Sequence, residues 1–153
     1  LLGWPFFDAD LEAERRAGMD ITSLMARQGE DFFRDLEAQV LADLCHREPA
    51  VVATGGGAVL NERSRALIRS SGLAIWLDAE PEALWGRIQA DPDPPARRPS
   101  LEGGGVEEVR HLRARREALY RQCAQARLDT GEKTVEEVAR ALATLAAALS
   151  PTE

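Results

Sequence analysis

The chain has 153 residues, 44% of them hydrophobic, which suits one domain with a buried core and argues against a second independent domain. Its net charge of −7 argues against nucleic-acid binding through bulk electrostatics, so a few placed cations must hold any anionic ligand. Two separated cysteines and two histidines give neither a disulfide framework nor the spacing of a zinc site, and no apolar run reaches the roughly 20 residues that span a bilayer.

Strand and helix patterns alternate along the chain. Apolar periodicity predicts, in this order, a strand at 5–8, a helix at 11–17, a short helix from Ile21, a helix at 29–46, a strand at 50–54, a helix at 61–71, a strand at 73–77, a helix at 81–91, a long helix at 106–125, a strand at 127–129 and a last helix opened by Thr134 and Glu137. The alternation favours a three-layer α/β fold with a parallel sheet covered by helices on both faces, in one domain over residues 1–153.

Residues 92–105 differ in composition from the rest of the chain, because they are rich in Pro, Gly and Arg. Such a stretch inside a domain is usually a functional loop or simple disorder. The Arg97-Arg98-Pro99 run within it could bring a cation onto a transferring phosphoryl group, in the manner of an arginine finger. A solvated basic pair is the other interpretation.

Two predicted helices carry charged residues where their apolar stripes should face the core. At about 100° per residue, Glu37 falls near the middle of the stripe of helix 29–46, with Arg34 at its edge. Arg116 falls close to the centre of the stripe of helix 106–125. An interior charge is costly unless it is paired or lines a wet cavity, and a guanidinium suits a planar carboxylate because it donates two parallel hydrogen bonds. The two arginines therefore predict a site for a carboxylated small molecule, and a structural ion pair with Glu37 is the alternative.

Two further polar features lie where predicted strands end. Asp8 and Asp10 follow the first strand, so both would emerge at the carboxyl end of the sheet, where open α/β folds bind ligands. One carboxylate could hold magnesium through water and the other could accept a proton from a hydroxyl, or both could be helix caps. The Gly55-Gly56-Gly57 run follows the second strand and exposes backbone N–H groups that could hold an anion or a hydroxyl-rich ligand, the alternative being a flexible turn.

Six stretches, taken in order, are similar to shikimate kinases over essentially the whole chain. They are Phe7-Asp8-Ala9-Asp10, residues 29–37, Ala53-Thr54-Gly55-Gly56-Gly57-Ala58-Val59, Arg98-Pro99, Arg116-Glu117-Ala118-Leu119-Tyr120 and Leu128-Asp129-Thr130. The resemblance implies a P-loop kinase with a nucleoside-monophosphate-kinase-like fold. It also implies transfer of the γ-phosphate of ATP, with Mg²⁺, to the 3-hydroxyl of shikimate in aromatic amino-acid biosynthesis.

The resemblance implies a role for each candidate substrate residue. Arg34 and Arg116 would clamp the carboxylate of shikimate, and the Gly55-Gly56-Gly57 backbone would line the pocket. Asp10 would contact the hydroxyls and serve as the catalytic base. The helices over about 11–46 would then form the substrate-binding part of the domain.

The resemblance also implies three supporting roles. Asp8 would assist magnesium through water, and Glu37 would orient Arg34. Arg98 would reach ATP and the transferring phosphate as the lid loop, at about 92–105, comes down. The expected partners are shikimate and ATP, with no nucleic acid and no membrane, and the expected protein is a cytoplasmic monomer.

One family motif does not occur in the sequence. The pattern GxxxxGK[ST] is absent, since Lys133 is the only lysine and lacks the preceding spacing. We therefore expect that a strand, the loop and a helix are missing from this chain, which together amount to roughly 20 to 25 residues. The missing strand is expected at the centre of the sheet. We also expect the chain alone to be inactive. Two alternatives stay open, which are a non-catalytic shikimate-binding module and a kinase of another hydroxylated carboxylate such as gluconate.

Overall fold

Strands and helices alternate along residues 1–91 and 105–149, which are the residues that the structure, a computed structural model, describes. The elements are β1 (Phe6–Asp8), α1 (Ala9–Ala17), α2 (Ile21–Gln28), α3 (Glu30–Cys45), β2 (Val51–Ala53), a 3₁₀ turn (Ala58–Leu60), α4 (Glu62–Ser70), β3 (Ile75–Asp78), α5 (Pro81–Ala90), α6 (Gly105–Cys123), β4 (Ala126–Asp129) and α7 (Val135–Leu149). Every predicted strand and helix is present, with ends shifted by at most two residues. The sequence pattern does not predict the 3₁₀ turn, and Gly105, predicted as the end of the loop, begins α6.

Polar side chains fix where two of the helices begin. Asp8 accepts the backbone N–H groups of Asp10 at 2.9 Å and Leu11 at 3.2 Å, so α1 starts directly where β1 ends. Thr134 and Glu137 form the predicted capping box, with reciprocal hydrogen bonds of 2.8 Å and 3.2 Å. A cap of this kind contributes about 1 kcal/mol to helix stability. The first cap also places Asp10 in the first turn of α1, at the carboxyl end of β1.

The described strands form two separate parallel pairs. The register of β1 with β2 ends with Asp8 opposite Ala53, and the register of β3 with β4 ends with Asp78 opposite Asp129. The predicted α/β class with parallel strands is therefore confirmed, whereas the single sheet is divided. Residues of β2 and of β3 line a cavity between the two pairs. Within each pair the carboxyl ends lie at one edge, and the candidate site residues follow those ends.

The main core lies where α1, α2 and α3 pack together. Its buried members are Ala9, Ala13, Ile21, Leu24, Phe33, Val40, Leu41, Leu44 and Ala58. Burial of a leucine side chain stabilises a fold by about 1.5 to 3 kcal/mol, so Leu41 and Leu44 fix α3 firmly in place. None of the helices in residues 1–91 and 105–149 has both the length and the apolar character needed to cross a membrane.

Candidate active site

The three consecutive glycines form a tight turn after β2. The Ala58 N–H donates to the Gly55 carbonyl at 3.0 Å, which closes a four-residue turn. Gly57 has φ −88° and ψ −10°, an ordinary right-handed conformation, and none of the three glycines has the positive φ that favours glycine. Backbone freedom therefore does not explain why glycine occupies these positions.

Close approach of charged side chains explains the glycines at positions 55 and 57 instead. A Cβ atom at Gly55 would lie 2.6 Å from Asp10 Oδ1, and one at Gly57 would lie 2.5 Å from Arg34 Nη1. A Cβ atom at Gly56 would lie 3.3 Å from the Tyr120 hydroxyl and 3.7 Å from Arg116 Nη1, and the second of these is an ordinary van der Waals contact. Gly55 and Gly57 thus lie against Asp10 and Arg34, Gly56 lies beside Tyr120 and Arg116, and the turn is the point where these side chains meet.

Arg34 reaches the turn from α3 and is held there by two glutamates. Its Nη1 donates to Glu37 Oε2 at 3.0 Å, and its Nη2 donates to Glu30 Oε1 at 3.1 Å. The Glu37 side chain is only 2% exposed, whereas that of Glu30 is 58% exposed. The predicted interior position of Glu37 and its pairing with an arginine are both present. Glu37 and Glu30 therefore hold the Arg34 guanidinium in place against Gly57.

The protonation of Glu37 depends on all the charges around the turn. Burial raises the pKa of Glu37 above its ordinary value, and the charge and hydrogen bond of Arg34 oppose that shift without cancelling it. The negative charge of Asp10 adds to the rise, and the positive charge of Arg116 works against it. Two acidic and two basic groups therefore interact electrostatically within one site.

Arg116 reaches the same turn from α6, and Tyr120 lies one helical turn further along. The Tyr120 hydroxyl donates to the Gly56 carbonyl at 2.7 Å, and its ring stacks on Trp76 with 5.6 Å between centroids. Residues four apart share a helix face, so the same face of α6 carries Arg116 and the tyrosine to the turn. In the sequence Tyr120 stands out only as part of the stretch 116–120, and nothing local points to a role for its hydroxyl, because the partner of that hydroxyl is 64 residues away.

A cavity of about 770 Å³ joins these groups. Asp10, Arg34, Glu37, Arg116 and the glycine turn all line it. The two arginines that the sequence predicts to grip one small acid therefore share one space, together with a carboxylate that could accept a proton. The arrangement suits an anionic, hydroxylated small molecule, and the alternative of a purely structural Glu37 ion pair leaves Arg116 unexplained.

A second ionic cluster lies about one helical turn before Arg116 on α6, where Arg113 contacts Asp78. Asp78, whose side chain is 2% exposed, accepts from Arg113 Nε at 3.0 Å and Nη2 at 2.9 Å, and from Arg127 Nε at 2.9 Å. Burial acts to raise the pKa of Asp78, but the hydrogen bonds of the two arginines outweigh it and lower that pKa. The sequence analysis did not identify this cluster, although Asp78 was predicted to follow a buried strand.

The remaining candidate residues are placed as follows. Asp8 is a helix cap, as one interpretation of the sequence held, and its Oδ1 accepts both backbone bonds. Arg98 and the rest of the predicted lid up to residue 104 lie outside the described residues. In residues 1–91 and 105–149 no group of three or more His, Cys, Asp or Glu side chains is arranged to hold a metal ion.

Comparison with known proteins bears on the whole chain. The family model of shikimate kinase matches residues 1–146. The shikimate kinase of Cereibacter sphaeroides is 42% identical over 139 residues, which cover 90% of this chain and 67% of that protein. The shikimate kinase of Nitratidesulfovibrio vulgaris is 43% identical over 125 residues, which cover 81% of this chain and 71% of that protein.

Solved structures give the same result. A shikimate kinase from Acinetobacter baumannii in complex with shikimate superposes with a TM-score of 0.88 at 29% identity, covering 98% of this chain and 82% of that one. A shikimate kinase from Aquifex aeolicus superposes with a TM-score of 0.75 at 32% identity, covering 98% of this chain and 86% of that one. The likeness therefore extends over both sequence and fold.

Proposed function

The chain belongs to the shikimate kinase family, and from that membership we propose that it acts in the transfer of the γ-phosphate of ATP to the 3-hydroxyl of shikimate. The observation that carries the proposal is the glycine turn, where Gly55 lies against Asp10, Gly57 lies against Arg34, and Gly56 lies beside Tyr120 and Arg116. Two cations and a carboxylate around one cavity match a substrate with one carboxylate and several hydroxyls. The step contributes to aromatic amino-acid biosynthesis.

The two arginines are proposed to bind the carboxylate of shikimate. Arg34 is fixed by Glu37 and Glu30, so little side-chain freedom is lost when a ligand binds. Arg116 approaches from a different helix, which allows the carboxylate to be gripped from two directions. Charge-assisted hydrogen bonds of this type contribute about 1.5 to 3 kcal/mol each, so the pair accounts for most of the specificity for an acid.

Asp10 is proposed as the base. It lies against Gly55 in the first turn of α1, where its carboxylate can accept the proton of the attacking hydroxyl. The hydroxyl oxygen forms a bond to the γ-phosphorus while the bond from that phosphorus to the oxygen bridging the β- and γ-phosphates breaks, leaving ADP. The residues thus position the nucleophile and take its proton, and Arg98 is proposed to stabilise the charge on the transferring group from the lid.

Magnesium is proposed to be held mainly by water and by the phosphates of ATP. The described residues contain no group of three or more side chains arranged to bind a metal ion. Asp8 Oδ1 accepts hydrogen bonds from two backbone N–H groups of α1, so Oδ2 is the oxygen suited to a metal-bound water. Bound in this way, the ion would neutralise charge on the phosphates. The donor set present therefore fits an ion contacted through water.

The cellular setting is also a proposal. Cys45 and Cys123 are both free thiols, which suits a reducing compartment such as the cytoplasm, where ATP is supplied. We propose a monomer there, because the candidate site is formed by elements of one chain. Equilibrium sedimentation of the purified protein would test this, and a stable dimer would contradict it.

Calorimetric titration of the 153-residue chain tests the proposed function. We expect shikimate to bind, gluconate to bind much more weakly, and Arg116→Ala to weaken shikimate binding by about 30- to 100-fold, since charge-assisted hydrogen bonds are lost. Arg115→Ala is the matched control, because Arg115 is a solvent-exposed residue of the same helix. Equal affinity for gluconate would favour another acceptor, and equal effects of the two substitutions would contradict the proposed clamp.

Phosphate transfer needs a separate assay. The 153 residues do not contain the pattern GxxxxGK[ST], and positioning of the phosphates provides most of the catalysis in this class. We therefore expect the chain alone to bind shikimate while producing ADP at a negligible rate in a coupled assay with saturating ATP and magnesium. Rapid shikimate-dependent ADP release would show that other residues of the chain compensate for the absence of the motif.

A further inference from the structure

A hydrogen bond crosses from α6 to the glycine turn, and we infer from it that Tyr120 is a positioning residue for substrate binding. Its hydroxyl holds the peptide group between Gly56 and Gly57 in one of two orientations that the turn can adopt. The inference rests on the proposed function, because it concerns the same pocket and the same substrate. It adds a residue whose side chain acts through the backbone of the turn.

The peptide group in question is the central one of a β-turn. The Ala58 N–H bond to the Gly55 carbonyl closes the turn, and the φ of −88° and ψ of −10° at Gly57 are those of the third residue of a type I turn. A type II turn has the same end points but rotates the central peptide by about half a turn and needs φ near +80° at Gly57. Glycine adopts either sign of φ readily, so the sequence of the turn alone does not select one orientation.

The Tyr120 hydroxyl selects between the two. It donates to the Gly56 carbonyl at 2.7 Å, a bond that is lost if the central peptide rotates. The C=O and N–H of a trans peptide point in opposite directions, so a fixed Gly56 carbonyl also fixes the Gly57 N–H. Gly57 lies directly against Arg34, since a Cβ atom at Gly57 would be only 2.5 Å from Arg34 Nη1. One hydroxyl therefore sets the direction of a backbone donor beside the substrate arginine.

The phenol ring of Tyr120 is held in place by the packing of Trp76 against it. It stacks on Trp76, which is 9% exposed, at 5.6 Å and an interplanar angle of 29°. The guanidinium of Arg127 lies 5.1 Å from the centroid of the Trp76 ring, and that of Arg121 lies 5.7 Å from it. This packing limits the positions open to the Tyr120 hydroxyl. Because Arg116 is on the same helix face, the turn and the second substrate arginine are fixed relative to each other.

Tyr120→Phe tests the inference, because it removes the hydroxyl and keeps the stacked ring. Titration of the 153-residue chain with shikimate should show a dissociation constant raised by about three- to tenfold, the net worth of one hydrogen bond. The matched control is Ser70→Ala, which deletes another hydroxyl bond to a backbone carbonyl, the 2.9 Å bond to Ala66 on α4. That control should leave shikimate affinity unchanged.

A second measurement separates positioning from a structural role. In protein labelled with ¹⁵N-glycine, the Gly57 amide should give one signal in the unsubstituted chain and a broadened or doubled signal in Tyr120→Phe, since both turn types become populated. Saturating shikimate should return it to one signal. A loss of thermal stability alone, with an unaltered Gly57 signal, would overturn the inference.

The outcomes distinguish the inference from the function on which it rests. If the unsubstituted chain does not bind shikimate, the proposed function fails and the inference fails with it. If that chain binds shikimate and Tyr120→Phe binds it equally well, the function stands and the positioning role of Tyr120 is overturned.

Discussion

Glu37 and Asp78 are both buried carboxylates paired with arginine, yet their surroundings shift their pKa values in opposite directions. Burial dominates at Glu37 and raises its pKa, whereas at Asp78 the hydrogen bonds of two arginines outweigh burial and lower its pKa. The difference lies in the depth of burial, which is greater at Glu37, and in the number of hydrogen bonds that each carboxylate receives. Glu37 receives one hydrogen bond from Arg34, and Asp78 receives bonds from both Nε and Nη2 of Arg113 together with one from Arg127.

The comparison teaches which arginine is available to a ligand. Arg113 uses two donors on one carboxylate, a geometry that satisfies both partners. Arg34 divides its donors between Glu37 and the exposed Glu30 and lies against the glycine turn. A ligand carboxylate at the turn would accept from the Arg34 N–H groups that Glu37 and Glu30 leave unused. We therefore predict that the Asp78 cluster is structural and that the Glu37 cluster belongs to the proposed substrate site.

Asp78→Asn should give the largest loss of stability. Removal of one partner of a buried ion pair costs about 3 to 5 kcal/mol, and the lower end of that range applies here because Arg127 remains half exposed. Urea unfolding should therefore show a loss of about 3 kcal/mol, while shikimate affinity of the folded fraction changes little. A large loss of affinity with intact stability would place Asp78 in the substrate site and end the distinction.

The pH dependence of the same variant sharpens this prediction. Because the folded-state pKa of Asp78 lies below its ordinary value of 3.8, its contribution to stability is present above pH 3.8 and is lost as the pH falls through the lowered pKa. The asparagine variant should lack that part of the acid sensitivity. Glu82→Gln is the control, since it breaks an exposed ion pair with Arg110 and should leave the unfolding curve nearly unchanged.

The two clusters also differ in how far the sequence predicts them. Helical periodicity placed Glu37 in a core stripe with Arg34 beside it, because the two are three residues apart and local geometry suffices. Asp78 finds its partners 35 and 49 residues away, so only the packing of α6 and β4 against β3 brings them together. The Tyr120 hydroxyl is missed for the same reason. For Asp8 the sequence does not distinguish a helix cap from a magnesium contact, since both roles need a carboxylate at the end of the same strand.

Glu37→Gln should give an intermediate effect, on binding more than on stability. Gln keeps the shape of the side chain but removes the charge that holds Arg34, so we expect shikimate affinity to fall by about tenfold, close to 1.4 kcal/mol. Stability at neutral pH should change less than in Asp78→Asn, because the cost of burying the Glu37 charge offsets much of the stabilisation that its bond with Arg34 provides. Calorimetry together with urea unfolding would measure both quantities.

The sign of the pH effect distinguishes this variant from Asp78→Asn. A carboxyl whose folded-state pKa is raised favours folding in its protonated form, so the contribution of Glu37 is greatest below its ordinary value of 4.5 and declines as the pH rises through the raised pKa. Replacement by Gln should remove that decline. If both variants changed the acid side of the stability profile in the same direction, the contrast between the two carboxylates would be wrong.

Glu12→Gln should give the smallest effect and sets the scale for an ion pair at the surface. Hydrogen bonds from Arg15 and Arg16 lower the pKa of Glu12 to about 2. Its stabilising contribution is therefore present above its ordinary value of 4.5 and is lost between pH 4.5 and about 2. Solvent screens such pairs, so the variant should lose only about 0.5 kcal/mol at neutral pH. Unfolding curves from pH 6 to pH 2 would measure the free energy of unfolding of this variant. If Glu12→Gln lost as much stability as Asp78→Asn, burial would not distinguish structural ion pairs from surface ion pairs in this protein.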